Sequence, residues 1–266
     1  MDKFGIATAI VSVPTMMDLY DGSMEARDRA RSYNDFAAKM VRDYPGRFGA
    51  FACIPLPDQE GSLKEIEYAY DTLHADGIGL FTNTGTQWPG GAAFDPVFAE
   101  LNRRKAVVFF HPQVANCCHS LIPNVAEGVL EYDFDTTRAI VSLLASGTLS
   151  KYPDIRYIVN HSGADMPVMT GRIQDRLSKE SLAKIPNGVL HELQKLYYEV
   201  AHATYPWPMA ALTCFVPTSQ ILFGSDYPFE VVETTVEHIP DAGLTPAVWR
   251  KINRTNAEGL FPRLKG

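Results

Sequence analysis

Seven short apolar runs, alternating with longer stretches of helical periodicity, leave this chain few architectures. The runs span residues 6–13, 48–54, 78–82, 107–110, 157–160, 197–201 and 221–223, and they are rich in Val, Ile, Phe and Tyr. They are apolar on both faces, as strands covered on both sides must be. Helical patterns fill the intervals. Residues 24–44 carry Ala30, Tyr33, Phe36, Ala37, Met40 and Val41 on one stripe and stop before Pro45. Residues 60–74, 95–104, 135–149, 167–182 and 246–260 continue the series, and the third opens on Asp95-Pro96, where proline suits a first helical turn.

Strand–helix alternation implies a parallel sheet with right-handed crossovers. Open doubly wound sheets and closed (β/α)8 barrels both satisfy that rule. No Gly-x-Gly-x-x-Gly follows a strand and no phosphate-binding Gly-x-x-x-x-Gly-Lys-Ser/Thr loop occurs. Instead, polar motifs end several strands, where barrel enzymes place their chemistry. The reading is therefore α/β, a (β/α)8 TIM-like barrel, with seven strands counted and the N-terminal first strand lacking. No linker, repeat or low-complexity segment divides residues 1–266, which read as a single barrel domain.

Three of the strand ends carry a metal-ligand residue type. They are Phe110-His111-Pro112, Asn160-His161-Ser162-Gly163 and Gly224-Ser225-Asp226-Tyr227-Pro228. Imidazoles and a carboxylate at the ends of buried strands can converge on one divalent ion. A histidine ending one strand is commonly a hydrogen-bonded structural residue; the ordered set of two histidines and then an aspartate favours function. A buried aspartate after a strand also needs a partner, because an unpaired buried carboxylate is costly. His202, in Glu199-Val200-Ala201-His202, ends a further run and reads equally as a pocket residue or a structural one. The long segments 84–94, with Trp88, and 113–132, with His119, are expected to wall a pocket. Trp88, His119 and His202 are the candidate substrate contacts. A covalent serine route lacks its Gly-x-Ser-x-Gly elbow, since Gly224-Ser225-Asp226 is not that pattern.

Composition narrows the partners. The formal charge of −7 over 266 residues, with Lys and Arg scattered, argues against a nucleic-acid surface. No apolar run approaches the ~20 residues that span a bilayer, and no signal-peptide pattern opens the chain. Cys117 and Cys118 are adjacent rather than Cys-x-x-Cys, so all four cysteines read as free thiols of a cytoplasmic protein.

Taken together, Phe110-His111-Pro112, Phe134-Asp135-Thr136-Thr137-Arg138-Ala139, Ser146-Gly147-Thr148-Leu149, Tyr152-Pro153-Asp154-Ile155-Arg156, His161-Ser162-Gly163, Phe223-Gly224-Ser225-Asp226-Tyr227-Pro228 and Asn256-Ala257 before Leu260-Phe261 resemble the amidohydrolase superfamily. The resemblance covers essentially the whole chain. It is closest to the branch containing aminocarboxymuconate-semialdehyde, γ-resorcylate and 6-methylsalicylate decarboxylases. It implies a distorted barrel with one divalent metal, zinc first and manganese second, held by His111 and Asp226. His161 and Asp226 would be the catalytic pair. It further implies a homodimer and a metal-dependent, non-oxidative decarboxylase, a carbon–carbon lyase of a small aromatic or unsaturated carboxylic acid. Metal-dependent hydrolysis of a lactone, ester or amide is the alternative. The family opens with a His-x-His or Glu-x-His strand that supplies further ligands. No such pair occurs in the opening segment here, so an inactive member acting by binding or oligomerisation is a third expectation.

Overall fold

The computed structural model describes residues 1–13, 19 and 23–265. Its centre is a sheet of seven parallel strands in chain order: β1 (Ala9–Val11), β2 (Phe48–Cys53), β3 (Gly77–Phe81), β4 (Val107–His111), β5 (Arg156–Val159), β6 (Tyr197–Glu199) and β7 (Ile221–Leu222). The sheet curls into a half-barrel surrounded by helices, an incomplete (β/α)8 barrel. Among the described residues no pairing joins β7 back to β1. Each expected strand is present; the first is cut from 6–13 to three residues, and the others differ from expectation by one or two residues at an end.

Two-residue alternation splits the strand side chains between two cores. Ile78, Leu80, Val108, Phe110, Tyr157, Val159 and Tyr198 face outward into the main core, where they meet Ile66, Phe98, Leu101, Ile140 and Leu143 of the surrounding helices. Phe51, Val107, Ile158 and Leu222 form the second core with Leu260 and Phe261 near the C-terminus, and Phe109 packs against it. Val107, Phe109 and His111 share one face of β4, so the same alternation that buries two apolar side chains aims the histidine at the sheet's C-terminal edge.

Helix α1 (Met24–Asp43) is capped by Ser23, whose Oγ accepts the Ala26 amide at 3.1 Å. Its buried face differs from the expected stripe. Ala26, Ala30, Asn34 and Ala38 are inside, while Tyr33 is exposed and Phe36 is 70% exposed. The cause is Asn34, whose carboxamide donates to the Cys53 carbonyl at 2.9 Å and accepts the Cys53 amide at 2.8 Å. That pairing turns a polar residue inward among alanines and rotates the aromatic positions out.

Helices α2 (Gln59–Asp71) and α3 (Asp95–Arg103) match expectation closely. The segment expected as one helix over 135–149 is two, α4 (Glu131–Ser146) and Thr148–Lys151, broken at Gly147 with φ 79°. The segment 167–182 also divides, into Met166–Arg176 and Lys179–Ala183; Ser178 caps the second piece, accepting the Ser181 amide at 3.1 Å. The closing segment 246–260 stays helical through a wide turn at Lys251–Thr255. Helices Val189–Gln194, Pro206–Phe215 and Val232–Glu237 were not expected. The first and last are too short to show a period, and Pro206 and Pro208 read as breakers although they occupy a helix's first turn. One cysteine expectation is also corrected. Cys117 and Cys118 are joined to each other in the turn Asn116–Cys118 rather than free, while Cys53 and Cys214 are free thiols.

Candidate metal and active site

Four side chains from four successive strand ends meet at the sheet's C-terminal edge: His111 ending β4, His161 after β5, His202 after β6 and Asp226 after β7. Asp226 is the hub. His111 Nε2 lies 3.8 Å from its Oδ1, His161 Nε2 lies 3.9 Å from its Oδ2, and His202 Nε2 lies 3.0 Å from the same Oδ2.

Each imidazole presents Nε2 to the centre and turns Nδ1 towards polar groups behind it. His111 Nδ1–H donates to the Pro112 carbonyl at 2.9 Å, which leaves its Nε2 as a lone-pair donor. His161 Nδ1 is 3.1 Å from the Asn160 side-chain amide nitrogen and 3.3 Å from Asp133 Oδ1 of α4. His202 Nδ1 is 3.9 Å from Glu230 Oε2. A carbonyl or carboxylate behind the distal nitrogen fixes ring orientation in metal-binding histidines generally.

The backbone is bent to reach this arrangement. His161 (φ 48°), His202 (φ 59°) and Asp226 (φ 54°) all adopt left-handed conformations that side chains disfavour. After His161 the positive φ continues through Ser162, Gly163 and Ala164. Gly163 is required there, since a Cβ would fall 2.5 Å from the Tyr198 ring. Three strained residues converging on one point mark a place where the fold holds geometry against local preference.

Glu199, the buried last residue of β6, holds the strand ends together. Its Oε1 accepts the His161 amide at 2.7 Å and its Oε2 accepts the Ala201 amide at 2.8 Å. The carboxylate lies directly against Gly224 on the approach to Asp226.

These contacts set the charge states. Burial alone would push the His161 imidazole down. Its hydrogen bond to Asp133 and the charges of Glu199 and Asp226 together hold it above its ordinary value. Burial would raise the Asp226 carboxyl, but the surrounding imidazoles of His111, His202 and His161 hold it far below the usual carboxylate range. A carboxylate anion ringed by three imidazoles, with no thiolate, is a nitrogen–oxygen donor set suited to zinc or manganese. The ligand atoms of His161, His202 and Asp226 lie within 4.8 Å of one another.

The structure thus brings together His111, His161, His202 and Asp226 from the sequence candidates. Trp88 and His119 lie elsewhere. The Trp88 indole donates to the buried Asp135 carboxylate at 2.8 Å, tying its loop to α4. The exposed His119 pairs with Glu127 at 3.0 Å within its own loop. Three further participants were not anticipated: Asp133, Glu199 and Phe229, whose ring centre is 6.3 Å from that of His111. Only Glu199 left a trace in the sequence, as an acid inside the apolar run 197–201, three residues before a histidine.

With this geometry in place, comparison with known proteins is informative. The family model described as amidohydrolase matches residues 12–263. The chain is 33% identical to the decarboxylase macB of Penicillium terrestre, over 100% of this chain and 84% of that one. It is 34% identical to the 6-methylsalicylic acid decarboxylase of Penicillium expansum, over 89% and 76% respectively. Among solved structures it superposes on a dihydroxybenzoic acid decarboxylase from Polaromonas, determined with bound manganese and the inhibitor 2-nitroresorcinol. That match has a TM-score of 0.83 at 23% identity and covers 100% of this chain and 85% of that one.

Proposed function

The chain belongs to the amidohydrolase family, and from that we propose that it is a metal-dependent, non-oxidative decarboxylase of a small aromatic carboxylic acid. The observation that carries this reading is the Asp226 carboxylate faced by the Nε2 atoms of three histidines, in a chain a third identical to named decarboxylases along most of its length.

The donor set fits a divalent metal, with His111 and Asp226 as its holders. The ion, when bound, supplies positive charge against the substrate carboxylate and a neighbouring ring oxygen. The remaining chemistry falls to the protein. The bond between the ring carbon and the carboxyl carbon breaks, its electron pair stays on the ring carbon, and carbon dioxide leaves. One proton must reach that ring carbon. His161 is placed to deliver it from Nε2, because Asp133 braces its Nδ1 and the Glu199–amide bond fixes its backbone. Asp226, held as an anion, stays a ligand rather than an acid. Phe229, beside His111, offers an aromatic face to a flat substrate.

Product analysis tests the proposal. Incubation with a panel of hydroxybenzoates should release carbon dioxide in proportion to acid consumed. Consumption of a lactone, ester or amide with water uptake and no carbon loss would favour hydrolysis. Turnover of neither class would return the chain to a binding role. Elemental analysis of protein purified without chelator separates zinc, the first expectation, from the manganese of the Polaromonas enzyme.

We also propose that residues 1–266 act as one domain, in the cytoplasm, as a homodimer. The exposed apolar side chains Leu121, Ile122 and Val129 before α4 favour self-association, and sedimentation measures it directly. No described helix is long and apolar enough to cross a membrane.

A further inference from the structure

We propose that Cys117 and Cys118 are a thiol–disulfide exchange site, opened by a dithiol reductant and closed by a disulfide oxidant, whose closed state holds the segment 119–129 in place. The site is separate from the Asp226 centre and independent of the reaction proposed above. Three observations carry it.

The first is what the bond links. Cys117 and Cys118 are joined at a sequence separation of one. A disulfide stabilises a fold mainly by closing a loop of the unfolded chain, and more so for a longer loop. This one closes none, so fold stability does not account for it.

The second is access. Cys117 is exposed and Cys118 is buried. Exchange requires a thiolate to reach one sulfur while the other departs. The exposed Cys117 Sγ is the sulfur open to attack, and the buried Cys118 Sγ is the one that leaves. Cys53 is a contrast: burial pushes its thiol up to about 12, which keeps it out of such exchange.

The third is position. Before the pair, the chain is firmly held. The Gln113 amide donates to Thr82 Oγ1 at 3.1 Å, and its carboxamide donates to the Asn83 carbonyl at 2.7 Å. The Asn116 amide donates to the Gly85 carbonyl at 3.0 Å. The approach there is so close that a Cβ on Gly85 would lie 3.0 Å from the Asn116 carboxamide. After the pair, every residue from His119 to Ala126 is exposed, so little buried surface holds the chain. What holds it is Glu127, whose Oε1 accepts the Ser120 amide at 3.1 Å and lies 3.0 Å from His119 Nδ1. The disulfide closes the turn Asn116–Cys118 that delivers His119 and Ser120 to that carboxylate. It stands where a fixed stretch passes into a lightly held one.

The exchange balances as follows. A thiolate of the reductant attacks Cys117 Sγ, the Cys117–Cys118 bond breaks, and its electron pair leaves on Cys118 Sγ, which takes up a proton. The second thiolate of the reductant attacks its own sulfur in the mixed disulfide and releases Cys117 as a thiolate, which is protonated in turn. The protein gains two electrons and two protons, and the reductant leaves as a disulfide. A disulfide oxidant reverses each step.

The test equilibrates native protein in glutathione buffers of graded thiol-to-disulfide ratio, then quenches in acid, alkylates and maps the thiols by mass spectrometry. Across the series the pair should pass from dithiol to disulfide while Cys53 stays a thiol. Reduced wild type should bind phenylarsine oxide stoichiometrically, its arsenic bridging both sulfurs with loss of water; oxidised wild type and Cys117→Ser should not. Hydrogen exchange over 119–129 should be at least about 10-fold faster in the reduced form, with the strands unchanged. Cys117→Ser and Cys118→Ala, each confirmed as folded by circular dichroism, should show the fast exchange in every buffer. The proposal is overturned if the pair stays a dithiol in the most oxidising buffer. It is equally overturned if native protein keeps the disulfide in dithiothreitol, or if exchange over 119–129 is the same in both forms.

Discussion

Glu199 occupies space that any side chain at position 224 would need: a Cβ built on Gly224 falls 1.7 Å from Glu199 Oε2. The glycine therefore serves the site sterically, letting the β7 loop pass close enough to a buried carboxylate that also holds the His161 and Ala201 amides. Gly224→Ala should push that carboxylate off both amides and destabilise the protein by about 1–3 kcal/mol, with loss of bound metal. Gly259→Ala is the control, because nothing lies within 4 Å of its Cβ and the residue is in the helix Asn256–Leu260. It should be neutral or stabilising by about 0.5–1 kcal/mol. Urea denaturation of the two variants decides; equal stability would mean that Glu199 can move without consequence.

Asp133 is 3.3 Å from His161 Nδ1 and 52% exposed, so its removal leaves little buried surface unpaired. If it orients the proton-delivering ring, Asp133→Ala should lower kcat by roughly 10–100-fold with KM nearly unchanged, and Asp133→Glu should recover part of the loss. A rise in KM at constant kcat would instead make Asp133 a substrate contact. Steady-state release of carbon dioxide distinguishes the two patterns.

Much of this architecture is legible in the sequence, for identifiable reasons. Buried parallel strands advertise themselves as β-branched and aromatic runs, so even the two-residue β7 is found from Ile221 and Leu222. His111 is readable because Val107 and Phe109 fix the parity of its strand. What is not legible depends on contacts across the fold. The buried face of α1 is set by Asn34 bonding to β2, which no helical period foretells. Asp133 is one acid among several on α4 until the turn after β5 brings His161 to it. The Trp88 loop looks like a pocket wall until its indole is seen bonded to Asp135. The left-handed turns at 161, 202 and 226 carry no glycine at those positions to announce them.

Acid sensitivity should appear at the N-terminus of α2. Asp58 accepts the Gly61 amide at 3.0 Å as the helix cap and is paired with Arg27, whose Nη2 donates to Oδ1 at 2.9 Å. The guanidinium chiefly holds this carboxyl below its ordinary value. A depressed folded pKa means the stabilisation is fully present above the unfolded value of about 4 and is lost as pH falls through the lower folded value. Asp58→Asn, which keeps a cap but loses the charge, should be less stable than wild type at neutral pH, with the gap closing below about pH 4. Asp58→Ala should cost about 0.5–2 kcal/mol at neutral pH. Urea titrations across that range check the sign; a gap that widened in acid would assign the pairing no role.

Chelation offers a prediction independent of any substrate. An ion bound to native Asp226 and its imidazoles, and not to the unfolded chain, stabilises the fold by RT ln(1 + [M]/Kd), or about 2.7 kcal/mol at a hundred times Kd. Removing it leaves the Asp226 carboxylate to the imidazoles alone and takes away the positive charge on which the left-handed turns at His161, His202 and Asp226 converge. Thermal melting after exhaustive chelation should therefore show a lower Tm that zinc or manganese restores and magnesium does not, because magnesium prefers oxygen donors to imidazole. Asp226→Asn should have a low Tm that no metal raises. If chelated and metal-loaded wild type melt together, native protein holds no ion at this site and the histidines serve Asp226 alone.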